Sequence, residues 1–571
     1  MEMEKKNIAI IALAVLLIAS GAGNVYFLVA GQFAAAPQRT NTLLVGTAGN
    51  IPDLDPHYAW DSASIDVINQ VCEGLVRNDL DDPLYTPIPS LATNWSVSPD
   101  GLEYTFTLRK NITFHDGWAF NATVVKWNFD RLNHFLNWSG NSWLPAPFNE
   151  SIAGDVHLTQ LSSLILTADG SKPLMNETIV LDDYTVKIVL NEEKGPFLPE
   201  LCFAGFKFMT PNPAYTPLHD YMTGVDNILV GTGPFKFTSF TPDVEVRFTR
   251  FEDYWRGLAR VQTVIFVQIE DGNTRNQALL SKEIDLLTAP LPGFLDQFDA
   301  DPGIVRIQAG PTTSTNYLML DCEFMNKSFR EAISYGFDYD FYISDTLEDQ
   351  GLRLRSPIPN GVQYSNYSKN CPIYNVTYAR QVLIDDGIAP AAASGWTTQQ
   401  WRDRAASNPF AAWNYTYNIE SDTRLQIGQQ LVSDMADIGI EVTLVTADTW
   451  TDVIIAQIRA PETLQFYPMG WIPDYNDAEN YLSPFFSNVS FINGMRYYEP
   501  DVEVLMRTAA TESNTTIRAQ LYEQIQTLMI ERDFPCLWLS TSLDNDCYVK
   551  NLIGWEPNGI GFLDLYPVAL K

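Results

Sequence analysis

Apolar residues run unbroken by charge from Asn7 to Gln38, and Lys5 and Lys6 stand immediately before that stretch. Such a run exceeds the roughly 20 residues a helix needs to cross a bilayer, and a basic flank tends to stay cytoplasmic. The body of the chain is therefore expected outside the cytoplasm, with the run either retained as a one-pass anchor or cut near Ala34, Ala35 and Ala36. The run is longer than a usual signal-peptide core, which favours retention. No cysteine precedes Cys72, so a lipid on a processed N-terminal cysteine is not expected.

Beyond a polar linker, Pro37 to Asn41, the run Thr42 to Thr47 reads as a first strand, the stretch from Asn50 to Pro56 as turns, and Ser64 to Val76 as a helix. From Trp95 to Arg131 the pattern gives a turn at Pro99-Asp100-Gly101, an alternating strand from Tyr104 to Leu108, a turn at Asp116-Gly117 and a helix.

At 571 residues and 46% apolar content the chain can fill at least two cores. A formal charge of -33 with a pI near 4.4 removes nucleic acid from the candidate partners, because phosphate backbones are bound by clustered Lys and Arg. Acceptor triplets Asn-X-Ser/Thr begin at about a dozen asparagines, among them Asn94, Asn121, Asn326, Asn375 and Asn514, where random placement gives roughly five. Glycosylation is expected from that excess. The six cysteines permit disulfides in an oxidising exterior or buried free thiols, and none shows metal spacing. Five histidines occur, all in the first half, without a His-x-x-x-His pair, a Gly-x-Ser-x-Gly elbow or a Gly-Lys-Ser/Thr phosphate loop. No enzyme chemistry, cofactor or metal is expected.

One carboxylate stands out. Asp474 lies between Trp471 and Tyr475 in GWIPDYNDAENY, Gly470 to Tyr481, where Pro473 and Asn476-Asp477 mark a loop. An acid shielded by an indole and a phenol attracts an ammonium more strongly than one in open water. Alternatively, the aromatics pack the loop and Asp474 caps a helix.

From Trp95 to Gly117 the sequence resembles the extracellular solute-binding proteins of the peptide/nickel family of ABC importers: Trp95, Ser98-Pro99-Asp100-Gly101, a Tyr104-Thr105-Phe106 strand, Leu108-Arg109 and Phe114-His115-Asp116-Gly117. Further matching blocks are Gly231-Thr232-Gly233-Pro234-Phe235-Lys236-Phe237, Tyr254-Trp255-Arg256-Gly257, Phe329 to Asp338, Ile427 to Val445, Gly470 to Tyr481 and Leu521 to Leu539. The resemblance covers nearly everything after Thr42, with longer segments at 137–176 and 388–414 read as surface insertions.

The resemblance implies an α/β fold of two lobes, the periplasmic-binding-protein type II fold with an extra domain on the first lobe. Residues 1–41 would be the signal or anchor and linker, 42–308 lobe one with the added domain at about 76–229, 309–532 lobe two, and 533–571 a return to lobe one. Crossings near Gly310-Pro311 and Asp533-Phe534-Pro535 would be the hinges. The implied activity is capture of an extracellular peptide or similar small solute by a monomer, with delivery to a permease and ATPase in the membrane. An oligosaccharide ligand, or a surface sensor or glycoprotein that kept the fold without transport, is the alternative; a nickel or haem carrier is disfavoured by the absence of His from the second half. In peptide-binding members the acid at the position of Asp474 takes the ligand's ammonium. Trp471 and Tyr475 would line the wall, and Asn50, His57, Tyr58, Arg353, Arg355 and Asn493 are further ligand-binding candidates.

Overall fold

The computed structural model describes residues 41–48, 51–59, 61–136, 162–218, 220, 222, 228–419, 421–490 and 492–571, so the apolar run at 7–38 and the stretch 137–161 of the longer segment 137–176 lie outside the description. Among the described residues no helix is long and apolar enough to cross a membrane.

The expected first strand forms at Thr42–Thr47, with Leu43 and Val45 fully buried, and pairs in parallel with Thr263–Gln268 and Leu286–Thr288. It belongs to a mixed sheet of twelve strands running through both lobes. The strand Cys536–Val549 joins the two halves. Its first residues pair with Thr315–Leu320 and its last with Leu286–Thr288 and Ile304–Pro311.

Side-chain alternation explains why the second lobe is covered on both faces. Along Thr315–Leu320, Tyr317 and Met319 enter one apolar cluster while Leu318 and Leu320 enter another, and along the long strand Cys536 and Trp538 part from Leu537 and Leu539 in the same way. Farther on, Cys547 and Val549 join a third cluster, whose members come chiefly from 43–304 and 547–568. The return crossing therefore lies inside this strand, at about Ser540 to Asp546, and not at Asp533-Phe534-Pro535. The outgoing crossing follows Pro311, beside the register shift at Gln308/Gly310.

Within 76–229 a separate four-stranded antiparallel sheet forms from Ala92–Val97, Glu103–Leu108, Thr185–Leu190 and Met175–Asp182. The conspicuous sequence blocks meet one another in space. His115 Nε2 lies 2.9 Å from the Gly233 carbonyl. The Glu73 carboxylate accepts from Thr232 Oγ1 at 2.9 Å, Tyr254 Oη at 2.8 Å and Trp255 Nε1 at 3.0 Å. A Cβ on Gly231 would stand 2.0 Å from the Val71 carbonyl, so only glycine lets this loop approach the end of the helix Ser62–Val71.

The reading of 388–414 as a surface insertion is corrected in part: much of it is exposed, but Trp401 is 1% exposed in a second-lobe core with edge-on contacts to Trp396 and Phe410, and Ala411–Asn418 is a strand of the main sheet. All six cysteines are free thiols, so no disulfide staples the lobes. The triplet asparagines Asn121, Asn326, Asn375 and Asn514 cap helices, each side chain accepting from a backbone N–H in the first turn.

Because Trp401 is a core residue, Trp401→Ala should destabilise the second lobe by about 3–5 kcal/mol. Urea denaturation followed by tryptophan fluorescence should show an earlier transition, whereas a surface insertion would leave the midpoint in place.

Candidate functional site

The helix Ser62–Val71 is capped by Asp61, whose carboxylate accepts from the Ser64 N–H at 2.9 Å. Val67, Ile68 and Val71 face the core. Ser62, Ile65, Asp66 and Asn69, spaced i, i+3, i+4, i+7, form one stripe that opens onto a cavity of about 490 Å³. Opposite the stripe stand Ile472 to Asn476 of the second lobe, with Thr312, Ser314 and Ser542 from the crossings and Trp555 and Phe562 from the tail. The cavity thus lies between the lobes, in the size range of small-ligand sites. Three carboxylates line it, from Asp66, Asp474 and Asp546, and no Lys, Arg or His is among its described lining residues.

The loop holding Asp474 is set by Asn480, which is fully buried. Asn480 Oδ1 accepts from the Asp474 N–H at 2.8 Å and from Trp471 Nε1 at 3.3 Å, while its Nδ2 donates to Asp474 Oδ2 at 3.1 Å. Asp477 is gripped by both terminal nitrogens of Arg518 at 2.8 Å. The Tyr475 hydroxyl donates to Glu479 Oε2, and the Tyr475 ring enters the first-lobe cluster.

Lys194 completes this attachment from the first lobe, with its Nζ 2.9 Å from Glu200 Oε1 and 3.5 Å from Glu479 Oε1. Burial opposes the Lys194 charge, yet Glu200 and Glu479 raise its pKa above the ordinary value. Burial pushes the Glu200 carboxyl up to about 7, helped by repulsion from Glu479 and only partly offset by Lys194. For Glu479 burial also pushes upward, but Lys194 and its hydrogen bonds hold it below the usual range. One cation therefore serves one firm carboxylate and one that takes up a proton near neutrality. Nearby, the Gly195 N–H donates to the Ala510 carbonyl at 2.8 Å and Asn476 Nδ2 to the Leu84 carbonyl at 3.0 Å, further ties between the lobes.

The sequence candidates separate on this map. Asp474 and Tyr475 line the cavity. Trp471 is not among the lining residues; it packs edge-on against Phe485 with centroids 5.0 Å apart. Asn493 brackets its own turn, donating to the Ser487 and Tyr497 carbonyls at 3.2 and 2.8 Å. His57 is buried against Arg131, with Nδ1 2.9 Å from Nη1, and burial followed by the Arg131 charge lowers its pKa to about 3. Tyr58, half-buried beside it, lines no cavity of the cleft. Arg355 is exposed and is not among the described lining residues of either cavity, and Arg353 lies 3.3 Å over the Tyr339 ring. Asn50 lies outside the described residues.

Two residues escaped the sequence reading. Asp66 is one polar position of the helix Ser62–Val71, and only the i, i+3, i+4, i+7 stripe distinguishes it. Arg424 is the one charged side chain among the described residues lining a second cavity of about 550 Å³, which shares Ser542 with the first. Ser421 caps the helix Asp422–Ala436 and places Arg424 in its first turn, where Nη1 donates to Asn418 Oδ1 at 2.6 Å and the guanidinium lies 3.5 Å over Trp450. The strand Phe466–Trp471 runs from one cavity to the other: Pro468 to Gly470 line the second, and Ile472 to Asp474 the first. Among the described residues no group of three or more His, Cys, Asp or Glu could hold a metal ion.

A model of bacterial extracellular solute-binding proteins, family 5 middle, matches residues 86–493. The dipeptide-binding protein of Escherichia coli (strain K12) is 23% identical over 546 residues, covering 92% of this chain and 94% of that protein. Heme-binding protein A of Haemophilus influenzae is 26% identical over 504 residues, with 84% of each chain covered. The ABC transporter-associated periplasmic binding protein of Helicobacter pylori, solved with the peptide STSA, superposes with a TM-score of 0.76 at 22% identity, covering 93% of this chain and 98% of that one. The fold is accordingly the two-lobed α/β periplasmic-binding-protein type II fold that the sequence blocks imply.

Glu200 binds its proton more tightly when folded than its ordinary value near 4.5, so its contribution to stability is full below about 4.5 and is lost as pH rises to about 7. Glu200→Gln removes that loss. Melting curves between pH 4.5 and 8 should show the variant gaining on the wild type as pH rises; a constant offset would contradict the assignment.

Proposed function

The chain belongs to the bacterial extracellular solute-binding proteins of family 5 and serves as the substrate-binding component of an ABC importer, and from that premise we propose that its solute is a short peptide. The observation that carries this reading is the opposite charge of two cavities that share Ser542 in their linings. Among the described lining residues the first presents carboxylates and no cation, with Asp474 on the second-lobe side, and the second presents Arg424 as its one charged group. A peptide carries an ammonium at one end and a carboxylate at the other, and both would be neutralised along one cleft. A neutral oligosaccharide would use neither end, although the rings of Phe203, Trp555 and Phe562 would suit its faces.

Closure follows from the same geometry. A ligand that touches the helix Ser62–Val71 and the Asp474 loop at once favours the state in which both are near, by its differential affinity for that state. The apolar run at 7–38 would hold the protein at the outer membrane face, where a permease reads the closed form. Exposed acceptor asparagines such as Asn94, Asn326 and Asn514 would remain open to glycans.

Calorimetric titration of the full-length protein with a peptide, its N-acetyl form and its C-terminal amide tests this reading. Each blocked form should bind about 10- to 100-fold more weakly, the range for one charge-assisted contact. Asp474→Asn should erase the difference made by acetylation and Arg424→Met that made by amidation. A sugar that binds while all peptides fail, or peptides indifferent to both blocks, would overturn it.

A further inference from the structure

We propose that Asp66 is a specificity-determining residue which pairs with a cationic side chain of the ligand, so that the peptides captured carry a Lys or Arg near their free amine. This rests on the peptide reading above and narrows it.

The carboxylates of the first cavity are not equivalent. Asp474 already takes Asn480 Nδ2 at 3.1 Å, and Asp546 takes Trp555 Nε1 at 2.9 Å. No hydrogen bond or ion pair reaches the Asp66 carboxyl from any described residue; Gln70 Nε2, one turn on, donates to the Asp66 backbone carbonyl instead. Lys207 Nζ donates to Asn69 Oδ1 on the same helical stripe. Asp66 therefore projects from the first-lobe helix into a cavity whose described lining holds no cation, on the lobe opposite Asp474.

Such a carboxyl is unstable as an isolated anion. Burial, with Asp61 adding repulsion, pushes it up to about 8, so in the empty site it is held largely as the neutral acid at neutral pH. A ligand ammonium or guanidinium supplies the missing countercharge: the proton leaves to solvent and a charge-assisted hydrogen bond replaces it. Phe203, Trp555 and Phe562 line the same space and would cover the aliphatic stem of a Lys or Arg side chain while its head reaches Asp66. With Asp474 serving the α-ammonium, a second acid on the other lobe gives a basic residue contacts on both lobes, and so a larger share in closure.

The test is calorimetric titration of the full-length protein with Lys-Ala-Ala and Ala-Lys-Ala, each against its norleucine counterpart, in the wild type and in Asp66→Asn. At least one Lys peptide should bind the wild type at least about tenfold more tightly than its norleucine counterpart, and Asp66→Asn should reduce that preference below about twofold. Equal affinities in the wild type, or a Lys preference that survives Asp66→Asn, would overturn the inference while leaving the peptide reading intact. Failure of all four peptides to bind the folded wild type would overturn the peptide reading and this inference with it.

Discussion

Lys194 is the point on which the arrangement of the cleft depends. A single ammonium from the first lobe lies 2.9 Å from its own lobe's Glu200 and 3.5 Å from Glu479 of the second. Glu479 in turn takes the hydroxyl of Tyr475, the residue after Asp474. Without the cation, two buried carboxylates would face each other across the lobe boundary, and taking away one partner of such a cluster costs on the order of 3–5 kcal/mol. The Asp474 loop is thereby attached to the opposite lobe by its base, while Asp474 itself lines the cavity.

The long strand Cys536–Val549 supplies the complementary constraint. It pairs with strands of both lobes, so the lobes share one sheet and can move only by flexing where its partners change, at about Ser540 to Asp546. Ser542 and Asp546 of this same stretch line the first cavity, and Ser542 also lines the second. The stretch where the strand changes partners is therefore also a wall of both cavities. Carboxylates line the first and Arg424 the second.

Much of this was legible in the sequence, for identifiable reasons. The blocks around Trp95, Gly231 and Tyr254 stand out because each needs a particular residue: Gly231 for the close approach to Val71, and Tyr254 and Trp255 as donors to Glu73. The ligand loop was recognisable because Pro473, Asn476 and Asp477 carry turn chemistry beside aromatic rings. What stayed hidden depends on juxtapositions across long separations. Arg424 and Asp474 are 50 positions apart in the numbering, and no local pattern links them. Trp401 looked like part of an insertion because small residues and tryptophans surround it, yet Trp396 and Phe410 enclose it in a core. The asparagine triplets have a second physical reading: Asn at a helix cap with Ser or Thr two positions later has the same pattern as a glycan acceptor, as at Asn121, Asn326, Asn375 and Asn514.

The central claim is that Lys194 couples the ligand loop to the first lobe. Hydrogen exchange on the full-length Lys194→Met protein measures it most directly. The account requires faster exchange on both sides of the contact, in residues 193–201 and 474–481, while the central strand Thr315–Leu320 stays protected. Unchanged protection of 474–481 in that variant would contradict it.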